Sequence, residues 1–148
     1  MNQNLGYLLS DSSRLLRKTF DERVRGLGLT SVQARLLLSL TKFPDNNQAF
    51  YAERLEVEPI TLTRLVDRME EAGWIERVPD PTDRRARLLH LTDKAEAILG
   101  KVREAVDGLV ADMTEGFSPG ERAAMADLLT RISSNLAAQR PMMDAANG

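Results

Sequence analysis

The sequence contains no cysteine, one histidine and one tryptophan, and only 5% of its 148 residues are aromatic. Without cysteine there is no disulfide framework, no thiolate zinc site and no cysteine redox switch. The lone histidine, His90, has no serine or cysteine nucleophile motif around it. Metal-ligand spacing and a glycine-rich phosphate loop are also missing, so no catalytic residue, metal or cofactor is expected. The longest apolar run is far below membrane-spanning length, and residues 1–9 lack the basic start and apolar centre of a signal peptide. The expectation is a bacterial-type cytoplasmic protein with no membrane partner.

What remains is ample for a core. Hydrophobic residues make up 43% of the chain, and with aromatics scarce that core must be built from Leu, Val, Ile, Ala and Met. The formal net charge of -2 argues mildly against a nucleic-acid binder, but its distribution matters more than its total. Residues 1–58 hold 8 Lys/Arg and 7 Asp/Glu, residues 59–91 hold 6 and 6, and residues 92–148 hold 6 and 9. The acid excess therefore lies in the last third, away from a local cluster of Arg84, Arg85 and Arg87.

Taken in order, Leu5, Leu8, Leu9, Leu15, Leu16, Phe20 and Val24 recur at helical spacing and mark one long amphipathic helix. A partner subunit or packing within the chain are both open as cover for its apolar face. Thr30 with Gln33 forms a capping-box signature for a second helix over 31–42, with Ala34, Leu37, Leu38 and Phe43 inward. Asn47 is the expected cap of a short third helix over 48–55, with Ala52 and Leu55 inward. Pro59 then opens a fourth helix that runs to about 72, where Gly73 is the expected left-handed cap. Its apolar residues Leu62, Leu65, Val66 and Met69 share one face, leaving Ile60, Thr61, Thr63, Arg64, Asp67 and Arg68 on the others.

Two short helices joined by a turn, the second with a polar and basic front, form a helix-turn-helix pattern, although an ordinary helical hairpin has the same periodicity. The next segment favours the former. Residues 74–78 and 87–91 are strand-like, and between them stand Pro79, Asp80, Pro81, Thr82, Asp83, Arg84, Arg85 and Ala86, too polar to bury. A hairpin directly after a helix-turn-helix is a wing, and an arginine at its tip suits the narrow minor groove. Asp83 is expected to brace one of these arginines. Thr92 is the expected cap of a fifth helix over 93–115, carrying Ala95, Ile98, Val102, Ala105, Val106, Leu109, Val110 and Met113 as its stripe. Ser118, Pro119 and Glu121 start a last helix with Met125, Leu128, Leu129, Ile132 and Leu136 on its apolar face.

With these elements placed, the chain resembles the MarR family of bacterial transcription regulators, most closely its SlyA-like branch. The carrying residues are Leu29-Thr30 with Gln33, Leu62-Thr63-Arg64-Leu65-Val66-Asp67, Glu70-Glu71-Ala72-Gly73-Trp74-Ile75-Glu76-Arg77, and above all Asp80-Pro81-Thr82-Asp83-Arg84-Arg85-Ala86 followed by Leu91-Thr92. The third helix departs from the family in having Tyr51 before Ala52, and the usual glycine after the wing is replaced in Thr92-Asp93-Lys94-Ala95. The resemblance implies a mainly α fold with a small β-hairpin wing: a winged helix-turn-helix lobe over 29–91 and dimerisation helices over 1–28 and 92–140; the residues beyond Arg140 read on their own as a mobile tail over 141–148. It implies a homodimer on a pseudo-palindromic double-stranded DNA operator. Arg64 would read base edges beside Thr61 and Thr63, Arg84 would reach the minor groove from the wing tip, and Asp83 and Arg85 would shape or anchor the wing. Arg68 and Arg87 complete the expected DNA-facing set. A small phenolic or aromatic carboxylate effector is also implied, with Arg14, Arg17, Tyr51, Trp74 and His90 as candidate lining residues and equally as surface or packing residues.

The rival within the same fold is a winged-helix protein-interaction module without DNA binding. It predicts that Arg84, Arg85 and Arg87 are buried or fully paired with acids in the dimer.

Overall fold

The computed structural model describes the backbone of residues 3–147 and the side chains of residues 4–140. Six helices and one hairpin follow in order: α1 (Gln3–Arg25), α2 (Ser31–Lys42), α3 (Gln48–Leu55), α4 (Pro59–Glu71), β1 (Ile75–Pro79), β2 (Arg87–Leu91), α5 (Ala95–Met113) and α6 (Pro119–Asn147). The fold is a winged helix-turn-helix with long flanking helices. It divides into two compact units, Met1–Leu109 and Val110–Gly148.

The local signals act as their chemistry requires. Thr30 and Gln33 close a reciprocal capping box at the start of α2, and the Asn47 side chain accepts from the Phe50 amide at the start of α3. Gly73 adopts φ +80°, a left-handed conformation that strains any side chain, and a Cβ there would lie 3.1 Å from the Lys94 stem. Strands β1 and β2 pair antiparallel with Arg77 opposite Leu89 and Pro79 opposite Arg87. A single bridge from Asn47 to Leu88, with the Leu89 amide donating 3.1 Å to the Asn46 carbonyl, joins the start of α3 to the hairpin.

The main core of the first unit gathers Leu36, Leu37 and Leu40 from α2, Tyr51, Ala52 and Leu55 from α3, and the Leu62, Leu65, Val66 and Met69 face of α4. Ile75 and Leu89 seal it from the hairpin, Ala95 and Leu99 from α5. A smaller cluster of Val24, Leu29, Ala34 and Val102 holds the end of α1 against the start of α2 and the middle of α5. In the second unit, a capping box at Ser118 and Glu121 starts α6, and the buried Thr114 hydroxyl donates 2.7 Å to the Val110 carbonyl.

Several expectations are corrected. Leu36 and Leu40 are buried where Leu38 and Phe43 were expected to be, because α2 packs against α1, α3 and β2 on different sides. Strand β1 lies one residue later than expected, and α5 starts at Ala95 rather than Asp93. Thr92 does not cap α5 with its side chain; its hydroxyl donates to the Gly73 carbonyl, while its amide donates to Trp74. Of the two roles open for Tyr51 the structure shows the packing one: it is wholly buried, its hydroxyl donating to the Phe43 carbonyl. In α5, Leu99 is buried and Val110 and Met113 are exposed. Helix α6 continues past Pro141 to Asn147, since one proline removes one backbone donor and the Met and Ala residues beyond it favour helix. The end of the tail, Gly148, lies outside the described residues.

Candidate nucleic-acid interface

Burial of Leu62, Leu65, Val66 and Met69 fixes the rotation of α4, because residues three and four apart share a face. That rotation leaves Ile60, Thr61, Arg64, Asp67 and Arg68 exposed. Thr63 is half-buried and engaged within the fold. Its hydroxyl donates 3.0 Å to the Pro59 carbonyl and accepts from Gln48 Nε2 at 3.2 Å. Arg64 and Arg68 form no ion pair with any described residue.

Strand β1 supplies a residue that reading the sequence missed. Arg77 is four-fifths buried and its guanidinium binds three side chains on two helices at once. Nη2 lies 2.6 Å from Asp67 Oδ1, Nη1 3.0 Å from Glu70 Oε1, and Nε 2.8 Å from Gln48 Oε1 on α3. Glu70 also accepts the Arg77 amide at 3.2 Å. The signal was available: a lone arginine in a strand, following a helix with acids at i and i+3 on its polar side. The chemical result is that Asp67 and Glu70, which would repel phosphates, are held in ion pairs by the hairpin's Arg77, which offsets one of their two charges.

The wing tip, residues 80–86, is ordered by its own aspartates. Asp80 Oδ1 accepts from both the Thr82 amide and the Thr82 hydroxyl at 2.8 Å, and Asp83 Oδ1 accepts from the Arg85 amide at 3.0 Å. These are Asx turns, in which the side chain substitutes for a backbone acceptor. The Thr82 amide, first among its causes, holds the Asp80 carboxyl below its ordinary range. Asp83 therefore braces the backbone of Arg85 and not an arginine side chain. Arg84, Arg85 and Arg87 are exposed, and none pairs with an acid among the described residues.

The base of the wing is tied to the end of α4. Lys94 Nζ donates 2.8 Å to the Ala72 carbonyl and Thr92 Oγ1 to the Gly73 carbonyl, satisfying acceptors that a helix terminus leaves open. On the far side, His90 Nε2 lies 2.9 Å from Asp45 Oδ1 but off hydrogen-bond alignment, so that buried nitrogen has no hydrogen-bond partner. The interface thus consists of one exposed helix face and one arginine-tipped hairpin, carried on a single compact unit and braced against each other through Arg77. Such a surface has the shape and charge to meet a duplex in two grooves.

A model of the MarR family matches residues 29–86, the stretch that contains α2 to the wing tip. Among solved structures, the chain is similar to a transcriptional regulator, PA3341, at 32% identity over 89% of this chain and 97% of that one, with a TM-score of 0.77. It is similar to MarR at 28% identity over 93% of both chains, with a TM-score of 0.78. It also matches a mutant MarR from E. coli complexed with operator DNA, at 28% identity over 86% of this chain and 92% of that one, with a TM-score of 0.70.

Proposed function

Because this chain belongs to the MarR family of transcriptional regulators, we propose that it acts as a homodimer on a pseudo-palindromic operator, with α4 in the major groove and the wing tip in the minor groove. The observation that carries this reading is the set of exposed arginines, Arg64, Arg68, Arg84, Arg85 and Arg87. They lie on one helix face and one hairpin, and no acid among the described residues neutralises them. Desolvating an arginine is costly unless strong acceptors replace its water, and anionic phosphate oxygens and the O6/N7 edge of guanine are such partners. Arg64 and its neighbour Thr61 supply base recognition, whereas Arg68 and the wing arginines other than Arg84 supply phosphate contacts. The protein-interaction alternative calls for an arginine cluster buried or fully paired in the dimer; within one chain the cluster is exposed and pairs with no acid among the described residues, which supports the DNA-binding reading.

Within the family, the SlyA-like branch is the proposed placement, supported by Thr92-Asp93-Lys94-Ala95 where a glycine is usual. The proposed effector is a small phenolic or aromatic carboxylate. Ser10, Ser13, Arg14 and Arg17 line a shallow open depression on α1; Arg14 is paired there with Asp11 at 2.8 Å, which leaves the Arg17 guanidinium as the group for a carboxylate. Calorimetry with salicylate tests this part; heat of binding together with weakened operator binding is expected, and neither signal removes it.

The central test is selection of genomic DNA fragments by the purified protein, followed by sequencing. Enrichment of an inverted repeat with half-sites about one helical turn apart is expected. Binding without any sequence preference would overturn the reading.

A further inference from the structure

Within residues 17–109, one large hydrophobic side chain is exposed among the described residues, and it stands on α4. Ile60 is 59% exposed, whereas Leu62, Leu65, Val66 and Met69 of the same helix are buried. The other exposed large hydrophobic residues belong to α1 or to the stretch from Val110 to Leu136. The fold does not explain Ile60. It joins neither core cluster as a buried or packed residue. As a β-branched residue, it is also a poorer helix former than the alternatives. Isolated exposed apolar residues are common on proteins. What distinguishes this one is its setting, in the first turn of α4, beside Thr61 and one turn before Arg64 on the same exposed face.

In the major groove, the feature that an aliphatic side chain can recognise is the C5-methyl group of thymine, which separates thymine from every other unmodified base. We propose that Ile60 is a specificity-determining residue that packs on a thymine methyl in each half-site. The inference rests on the reading of α4 as the major-groove helix and deepens it. Four helical residues rise about 6 Å, close to two base-pair steps. The thymine should therefore lie within about two base pairs of the position read by Arg64.

The test uses the full-length protein and the sequence it selects from genomic DNA. Each thymine is replaced singly by deoxyuridine, which removes the methyl and keeps the pairing. One position per half-site should weaken binding by about fourfold, the factor expected from exposing one methyl-sized group. In Ile60→Ala that penalty should vanish, while in Ile60→Val it should persist in part. Neither variant should unfold at a clearly lower denaturant midpoint than the parent, since Ile60 packs in neither core and alanine is the better helix former. Absence of any uracil-sensitive position near the Arg64 contact, or an undiminished penalty in Ile60→Ala, overturns the Ile60 contact alone. If Arg64→Ala also leaves base preference unchanged, the reading of α4 fails, and this inference with it.

Discussion

Arg77 Nη2 lies 2.6 Å from Asp67 Oδ1, so that the first strand of the wing is fastened directly to the exposed side of α4. The same guanidinium reaches Glu70 and Gln48, and its Nη2 lies 3.4 Å from the Thr63 carbonyl. One planar cation thereby sets the angle between the helix and the hairpin that are proposed to occupy neighbouring grooves. A planar fork is suited to this task, because it can satisfy several acceptors in fixed directions where an ammonium cannot.

Removing that fork should cost both stability and DNA affinity. Arg77→Met keeps much of the apolar stem but leaves Asp67, Glu70 and Gln48 without their partner. Loss of hydrogen bonds to charged groups predicts a destabilisation of about 1–3 kcal/mol. Urea unfolding should show a lower midpoint with an unchanged slope. Arg77→Lys should recover charge without geometry, so it should restore stability more than operator binding. Equal recovery of both would show that charge, rather than the fork, carries the effect.

Arg77 also marks the boundary of what the sequence could reveal. Caps and turns were legible because their partners lie within a few residues: Thr30 with Gln33, Asn47 with Phe50, and Ser118 with Glu121 all pair as read. The rotation of α4 was legible too, since its four buried residues form a clean stripe. In α2 the run Arg35-Leu36-Leu37-Leu38-Ser39-Leu40 supplies apolar residues on more sides than one, and periodicity cannot choose among them without knowing what α2 packs against. The role of Thr92 was misread because a hydroxyl one or two residues before a helix looks like a cap, whereas a carbonyl 19 residues earlier in sequence is its partner. Ile60 was visible as an apolar residue off the stripe, but only its exposure gives that position meaning.

Tyr51 allows a prediction in alkaline solution. Burial, the leading cause, raises the pKa of its phenol above the ordinary value. The folded state therefore keeps the proton at pH values where the unfolded chain releases it. Its contribution to stability is complete below about pH 10 and is lost as pH rises from there through the raised folded value. Tyr51→Phe removes the titration and also the hydrogen bond to the Phe43 carbonyl, a loss of about 1 kcal/mol near neutrality. The gap in unfolding midpoint between parent and variant should narrow above about pH 10. A gap that stays constant with pH would contradict the burial account.

For the wing, Arg84→Ala should reduce operator affinity most when the minor groove beneath the tip is narrow and A·T-rich. Replacing those pairs with G·C should shrink the difference between parent and variant. Arg85→Ala and Arg87→Ala, as phosphate contacts, should weaken all sequences about equally and lower the salt slope by about 1 each. A sequence-independent loss for Arg84 would reassign it to the backbone.

The proposed dimer rests on apolar surface that the chain leaves uncovered. Leu5 and Leu8 on α1 are 65% and 56% exposed, and Leu128 and Leu136 on α6 are 53% and 62% exposed. Water contact on so many large side chains is unfavourable by roughly 25 cal/mol for each Å² that a partner would cover. On each copy the exposed leucines of α1 and, separately, those of α6 offer apolar surface of the kind that a subunit interface covers. Neither Leu8 nor Leu136 belongs to the core clusters that hold the wing and α4. Leu8→Glu combined with Leu136→Glu should therefore separate the subunits and leave the first unit folded. Light scattering should report a monomer, with the helical circular dichroism of the lobe retained. Operator binding should fall by far more than a single contact explains, because two half-sites linked in one dimer bind with an effective concentration that separate lobes lack. Arg64→Ala should do the opposite, weakening recognition while leaving the dimer intact. A native protein that is already monomeric at micromolar concentration would remove the dimer from the proposal and leave these leucines in need of another cover.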